Sequence, residues 1–527
     1  MTQSIAESVS GKALTPMLHP TRGRWLLVTV LTLLGILALA LIVLFLKWPF
    51  TPKEVAKNLE EATGSKVEIG SFQKIYLPFP GCEARKLTFR RGTDSSKPPI
   101  MTIERMHIRS SIFGLFGNHL TKIIADGVHV VMPPLGTETG PKPASDIVVG
   151  ELVAKNAVFE FSRQNLSEPR VQFLVRRLSL KNLGRRTTIT FYTAVRIPEP
   201  PGEAEVRGTL GPFKENQNPE APVAGTYTFQ GADLGKFEGI AGILSSTGKF
   251  QGKLNHLEVE GETDTPDFQV RRSNHRVDLK TRFEALVNAT NGDVQLNQVQ
   301  AQFWKSMVVS RGDIEAKSKE RPGKTASLDM FVREGRIQDL MMLFIKAPHS
   351  PLNGTVSLRA HAVLPPGEGA FLKKLRMDGD FGIDAAHFTN PTTQQGIGTL
   401  SESARGKPPG DDEKDKTEAD GENLLSDLKG HVILRNGVAT FTNLSFGVPG
   451  AHAEMHGTYD LVSEKVNLEG ILRMQAKLSD ATSGIKSFLV KALSPFLKNN
   501  HPRDPLPVTI TGTYDHPNYH VASTPKK

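Results

Sequence analysis

The chain has 527 residues, 38% of them apolar, and a net charge of +9 from 64 basic and 55 acidic side chains. That balance excludes a body buried wholly in a bilayer, and the excess suits an anionic membrane surface, nucleic acid or a plain solvated surface. Cys82 is the single cysteine, which excludes an intrachain disulfide and a cysteine-based zinc site.

Residues 1–24 read as a cytoplasmic tail. Between Arg24 and Lys47 lies an uncharged run from Trp25 to Leu46. As a helix this run reaches roughly 33 Å, enough for a bilayer core. Trp25 and Trp48 bracket it as interfacial anchors. A cleaved leader would be shorter and end in a small-residue site, so residues 25–46 are expected to be an uncleaved transmembrane signal anchor. Next, Thr51-Pro52-Lys53-Glu54 places a capping residue, a first-turn proline and a glutamate at capping-box spacing. The spacing predicts a helix with Val55, Leu59 and Ala62 on one stripe, ending at Gly64.

Strands are expected at 66–69, 87–90, 103–108 and 128–132, a loop at 136–145, and a break over the prolines from Pro198 to Pro222. Asp233 opens one stretch and Asp339 lies in a similar one with Ile337, each reaching a glycine before a strand, and both are expected to be helical. From Val277 to Ala289 the odd positions are apolar or Thr, and the even ones polar except Leu286. The same alternation returns at Val466, Leu468, Leu472, Met474 and Leu478. Successive strand side chains face opposite ways, so these stretches are strands with one apolar and one wet face. Residues 401–423 hold no apolar side chain larger than alanine, so 400–425 reads as a disordered acidic insert. Beyond it, Ile485, Phe488, Leu489 and Leu493 follow a helical period, predicting an amphipathic helix that docks on the sheet or on a membrane.

No catalytic or metal constellation emerges, and no cofactor is expected. His452 and His456 sit on an alternating stretch, which places them about 13 Å apart on a strand. Gly242–Lys249 and Ser318–Thr325 miss phosphate-loop spacing or residues. Glu262, Asp264 and Asp267 form an acidic group expected to be a turn between strands.

Taken together, Pro52-Lys53-Glu54-Val55 through Gly64-Ser65-Lys66-Val67-Glu68-Ile69-Gly70 resembles the start of AsmA family proteins. Gly248 to Asp267 and Gly335 to Gly367 resemble the central region of AsmA-like envelope proteins. Leu428 to Leu444 with Leu506-Pro507-Val508 and Gly512-Thr513-Tyr514 is similar to their C-terminal region. The resemblance divides the body into an N-terminal region (47–135), a central β-groove (147–399) and a C-terminal region (426–527). It implies an inner-membrane, single-pass protein of Gram-negative bacteria with a periplasmic body. Bridge-like lipid-transfer relatives then imply phospholipid and the inner membrane as partners, along with outer-membrane or periplasmic proteins but no nucleic acid. The expected fold is mainly β with a few short helices: an elongated, curved antiparallel sheet forming a hydrophobic groove. Its expected lining is Val277, Leu279, Phe283, Val287, Leu296, Phe303, Leu468, Leu472 and Met474. The alternatives are a non-conducting β-rich scaffold or assembly factor with sealed cores, and, least favoured, an enzyme.

Overall fold

The computed structural model describes Trp48, Phe50 and residues 51–90, 98–111, 119–132, 148–161, 171–184, 187–212, 221–289, 291–316, 323–367, 369–391, 393–394, 425–448, 450–474, 505–513 and 516–521. The anchor with Trp25, the loop at 136–145, the acidic stretch 401–423 and the helix with Ile485, Phe488, Leu489 and Leu493 lie outside the described residues. Among those described, no helix is long and apolar enough to cross a membrane.

The body is one 24-stranded sheet. Helix α1 (Pro52–Thr63) precedes β1 (Lys66–Ile75), β2 (Gly81–Arg90), β3 (Met101–Arg109), β4 (His119–Met132), β5 (Val148–Phe161), β6 (Val171–Leu183), β7 (Ile189–Pro198) and β8 (Pro201–Leu210). Then come β9 (Pro222–Asp233), β10 (Ile240–Ala241), β11 (Ile243–Lys253), β12 (His256–Val270), β13 (Arg276–Asn288), β14 (Asp293–Phe303), β15 (Ser306–Glu315) and β16 (Thr325–Arg336). Helix α2 (Ile337–Met342) leads to β17 (Leu352–Leu364), and α3 (Phe371–Lys374) to β18 (Arg376–Phe388). The last six are β19 (Ser426–Arg435), β20 (Val438–Val448), β21 (Ala451–Asp460), β22 (Lys465–Met474), β23 (Leu506–Thr513) and β24 (Pro517–Val521). Each strand pairs with the next in chain order, except that β9 passes over the short β10 to pair with β11, and β10 pairs with β12. The ladders are antiparallel apart from the parallel β4–β5 pair.

Helix α1 forms where the cap signals place it. Thr51 Oγ1 accepts the Glu54 N–H at 3.2 Å, and Gly64 closes the helix at φ 64°. Val55 and Leu59 pack into a core with Trp48, Phe50, Cys82, Leu87 and Phe89. A second core joins Val332, Val356, Ile383, Leu444, Met455 and Leu472, with Ile337 and Leu340 of α2 against it.

Three expectations change. The Asp233 stretch is helical only as a 3-10 turn over Leu234–Lys236 before returning to strand. Gly235, Gly239 and Gly242 weaken a helix there, and β9 and β12 offer open ladders. The proline break holds a strand, β8, with Pro201 and Pro222 at strand starts, where a missing N–H is tolerated. The acidic group belongs to β12, not to a turn. A bulge between Thr265 and Phe268 takes up Pro266, and Asp267 Oδ1 accepts the Ile243 N–H at 2.8 Å. At the insert's far boundary, Leu425 is buried and bridges Ala386.

Residues at positive φ line up across the sheet. Lys86, Gly127 and Asn156 have φ of 55°, 65° and 51°, and Glu334, Gly354 and Ala385 have 52°, 150° and 51°. Register shifts beside Glu334 and Ala385 mark β-bulges, which bend a sheet, and contacts between distant hairpins record the bend. Arg272 Nε, at the β12–β13 turn, donates to Leu461 O at the β21–β22 turn at 3.2 Å. The Phe371 N–H at α3 reaches Glu238 O, between β9 and β10, at 3.1 Å. Lys346 N–H, after α2, reaches Glu464 Oε1 at 3.0 Å. A flat sheet would hold turns nine strands apart at about 43 Å. The sheet therefore winds back, and later hairpins rest on earlier ones.

Candidate functional site

Cross-strand partners share a face, so the register can be followed from strand to strand. One row starts at Phe72 and runs through Ala84, Met106, Ala125, Ala154, Leu178, Thr193, Val206 and Tyr227. It continues through Gly248, Gly261, Phe283, Val299, Ser310, Met330 and Ala360. It ends through Gly379, Val432, Phe441, Gly457, Leu468 and Ile510. Every strand from β1 to β23 except β10 contributes, and no member is charged. A neighbouring row, from Ile108 through Ile123, Leu152, Leu180, Phe191, Gly208, Gly225, Phe250, Val259, Ala285 and Leu296 to Gly312, is also uncharged.

At the two ends of the sheet these rows enter the cores. Across β8 to β14 they do not: Val206, Tyr227, Phe250, Val259 and Phe283 are half-buried and belong to neither core. The opposite face is fully wet, as at Arg282 and Glu262, paired at 2.6 Å with side chains 72% and 62% exposed. Lys249 with Glu260 at 2.9 Å and Arg207 stacked on Tyr192 continue it.

Glycines level the apolar face. A Cβ on Gly225 would stand 2.7 Å from the Phe250 ring, one on Gly208 3.0 Å from Phe191, and one on Gly261 2.7 Å from Phe283 and 2.4 Å from Tyr227 Oη. Each aromatic ring thus lies over a neighbouring glycine instead of standing upright, the pairing that offsets a strand glycine's missing side chain. The Tyr227 hydroxyl turns to Ser246 Oγ at 3.2 Å, which donates to Glu262 O at 3.0 Å. Burial, partly offset by that hydrogen bond, raises the Tyr227 pKa above its ordinary value.

The expected lining residues separate into two groups. Leu279, Phe283, Val287 and Leu296 are half-buried on the apolar face, while Leu468, in the same row as Phe283, packs against the second core. Val277, Phe303 and Leu472 are sealed at 2%, 4% and 8% exposure, so they pack rather than line. They lie at the strand ends nearest the turns before β13 and after β14, and at the close of β22. Met474 closes β22, where only its backbone position is described. Trp48 is 4% exposed and packs at 4.6 Å from Tyr76, so protein encloses its ring. The sequence reading missed Phe191, Tyr227, Phe229 and Phe250; the available signal was a glycine in the facing strand.

His452 and His456 lie on the wet face of β21, as the alternation requires, and His456 reaches Glu469 at 3.1 Å. Among the described residues no cluster of His, Cys, Asp and Glu could hold a metal. A cleft of about 650 Å³ near the β13–β14 turn is lined by Asp293, Arg311 and Asp329 among others. Two of its carboxylates are paired: Lys324 holds Asp293 at 2.6 Å, and His361 holds Asp329 at 2.9 Å. What the molecule offers is therefore an extended uncharged surface. No protein-family model matches this chain, no curated protein matches it, and no solved structure matches it.

Proposed function

We propose that this chain is an inner-membrane-anchored, periplasmic protein that binds phospholipid acyl chains in a hydrophobic groove and conducts them in outer-membrane biogenesis. The observation that carries the reading is the uncharged row crossing the sheet, left half-buried over β8 to β14. Alkyl chains bind such a surface by burial alone, at about 0.8 kcal/mol per methylene, and need no directional polar group. The curved sheet supplies the groove wall, the run Trp25–Leu46 the membrane anchor, and the AsmA-like order of segments the envelope setting. Catalysis has no part in this reading.

A second reading, a non-conducting envelope scaffold or assembly factor, draws on the sealed cores around Leu87 and Val356. One experiment separates the two. A photo-reactive residue placed at Phe283 or Phe250 in the full chain should crosslink phospholipid, detected by mass spectrometry, while one at Arg282 should not. Capture equal on both faces, or at neither, would reject the groove in favour of the scaffold.

A further inference from the structure

The turn joining β1 and β2 reads Tyr76-Leu77-Pro78-Phe79-Pro80, and it is apolar where hairpin tips are ordinarily polar. Leu77 is 84% exposed, Phe79 59% and Tyr76 39%, among the most exposed large apolar side chains described. The base of this tip is fixed. Pro80 is buried and its carbonyl accepts the Ser110 N–H at 2.8 Å, while the Tyr76 ring lies 4.6 Å from Trp48. Trp48 in turn follows the run Trp25–Leu46 by two residues, which span at most about 7 Å of chain. The exposed pair therefore stands beside the point where that run delivers the chain to the body. Trp48 is enclosed, so it leaves the interfacial position to its neighbours on the hairpin.

We propose that Leu77 and Phe79 form a second membrane contact, a hairpin tip that inserts into the interfacial layer of the bilayer holding residues 25–46. This rests on reading that run as the anchor. Aromatic and aliphatic side chains favour this layer, and an apolar tip next to an anchor removes itself from water at no cost in added tether length. Two contacts on one rigid body set its tilt: the sheet cannot swivel freely about Trp48, and β1 is presented to the bilayer in one orientation.

The test uses the full chain in phosphatidylethanolamine–phosphatidylglycerol vesicles. A nitrobenzoxadiazole label is attached at Leu77→Cys, at Leu34→Cys within the anchor, or at Glu260→Cys on the wet face. Cys82 is fully buried and stays unlabelled. Lipid carrying a doxyl quencher high on its acyl chain should reduce emission at position 77 by about half and leave position 260 unchanged. Quenching at 34 but not at 77 overturns the proposal and leaves the anchor standing. Quenching at neither site overturns both. A label at 77 shielded from aqueous iodide yet untouched by the lipid quencher also overturns it, since a protein partner would then cover the tip.

Discussion

At Cys82 burial alone sets the chemistry. The side chain is fully enclosed beneath α1, and desolvation pushes its thiol pKa up to about 12 from an ordinary 9.0. The native chain should resist maleimide at neutral pH and react once unfolded, which a gel-shift assay reads directly. The linkage has a definite sign. Between about pH 9 and pH 12 the unfolded thiol ionises and the folded one does not. Stability is therefore whole below that window and falls as pH rises through it; Cys82→Ala should flatten the slope in a urea titration series. Phe283 makes the opposite case. It is half-buried on an open stretch of sheet, so Phe283→Asp should leave the thermal transition within a few degrees of the parent and abolish lipid capture. The alternation from Val277 onward made this face legible. It did not separate lining Phe283 from sealed Phe303, because burial depends on where turns fold over the strand ends.

Among the elements, the aligned positive-φ residues were hidden in the sequence at Lys86, whose type gives no such signal, while Asn156 is of a type that favours that conformation. Only the register exposes them. Asn156 takes φ 51°, and its Nδ2 donates to Asp126 Oδ1 at 2.9 Å. That bond, with the Arg105 guanidinium, holds the Asp126 carboxyl below the usual carboxylate range. Replacing Asn156 with Val adds a branched Cβ to a left-handed backbone and removes the bond, so Asn156→Val should cost about 2 kcal/mol by chemical denaturation. Helix α2 is tied down differently. Asp339 accepts Lys305 N–H at 3.1 Å and Ser306 Oγ–H at 2.8 Å, and Ser306 Oγ accepts Arg336 N–H at 2.8 Å. Asp339→Ala leaves buried donors unpaired and should cost about 1–3 kcal/mol. Hydrogen exchange should locate that loss at the β14–β15 turn. The sequence reading placed a helix at Asp339 correctly and failed at Asp233. Asp233 caps its turn and Asp339 sits inside the first turn of α2, but only the Asp233 stretch carries three glycines where the helix would have to continue.

For the whole molecule, the decisive contacts join residues that no local pattern relates. Arg272 meets Leu461, and Lys346 meets Glu464, across strands that pair only through long ladders. Strand content and face polarity were legible because each repeats every second residue. The winding was not, because it depends on summed twist and bulges over many strands. Breaking the seam tests its role. Arg272→Ala with Glu464→Ala should shift small-angle scattering toward a longer particle while circular dichroism stays unchanged, since the ladders themselves are untouched. The uncharged row carries a different consequence. On the proposed reading, an alkyl chain lying along its open stretch over β8 to β14 would pass from one strand to the next with no charge to mark a place. Such a surface has many bound positions of nearly equal energy and low steps between them. On that reading it would act as a one-dimensional solvent rather than a receptor, and net movement along it would follow the supply of lipid at one end and its removal at the other.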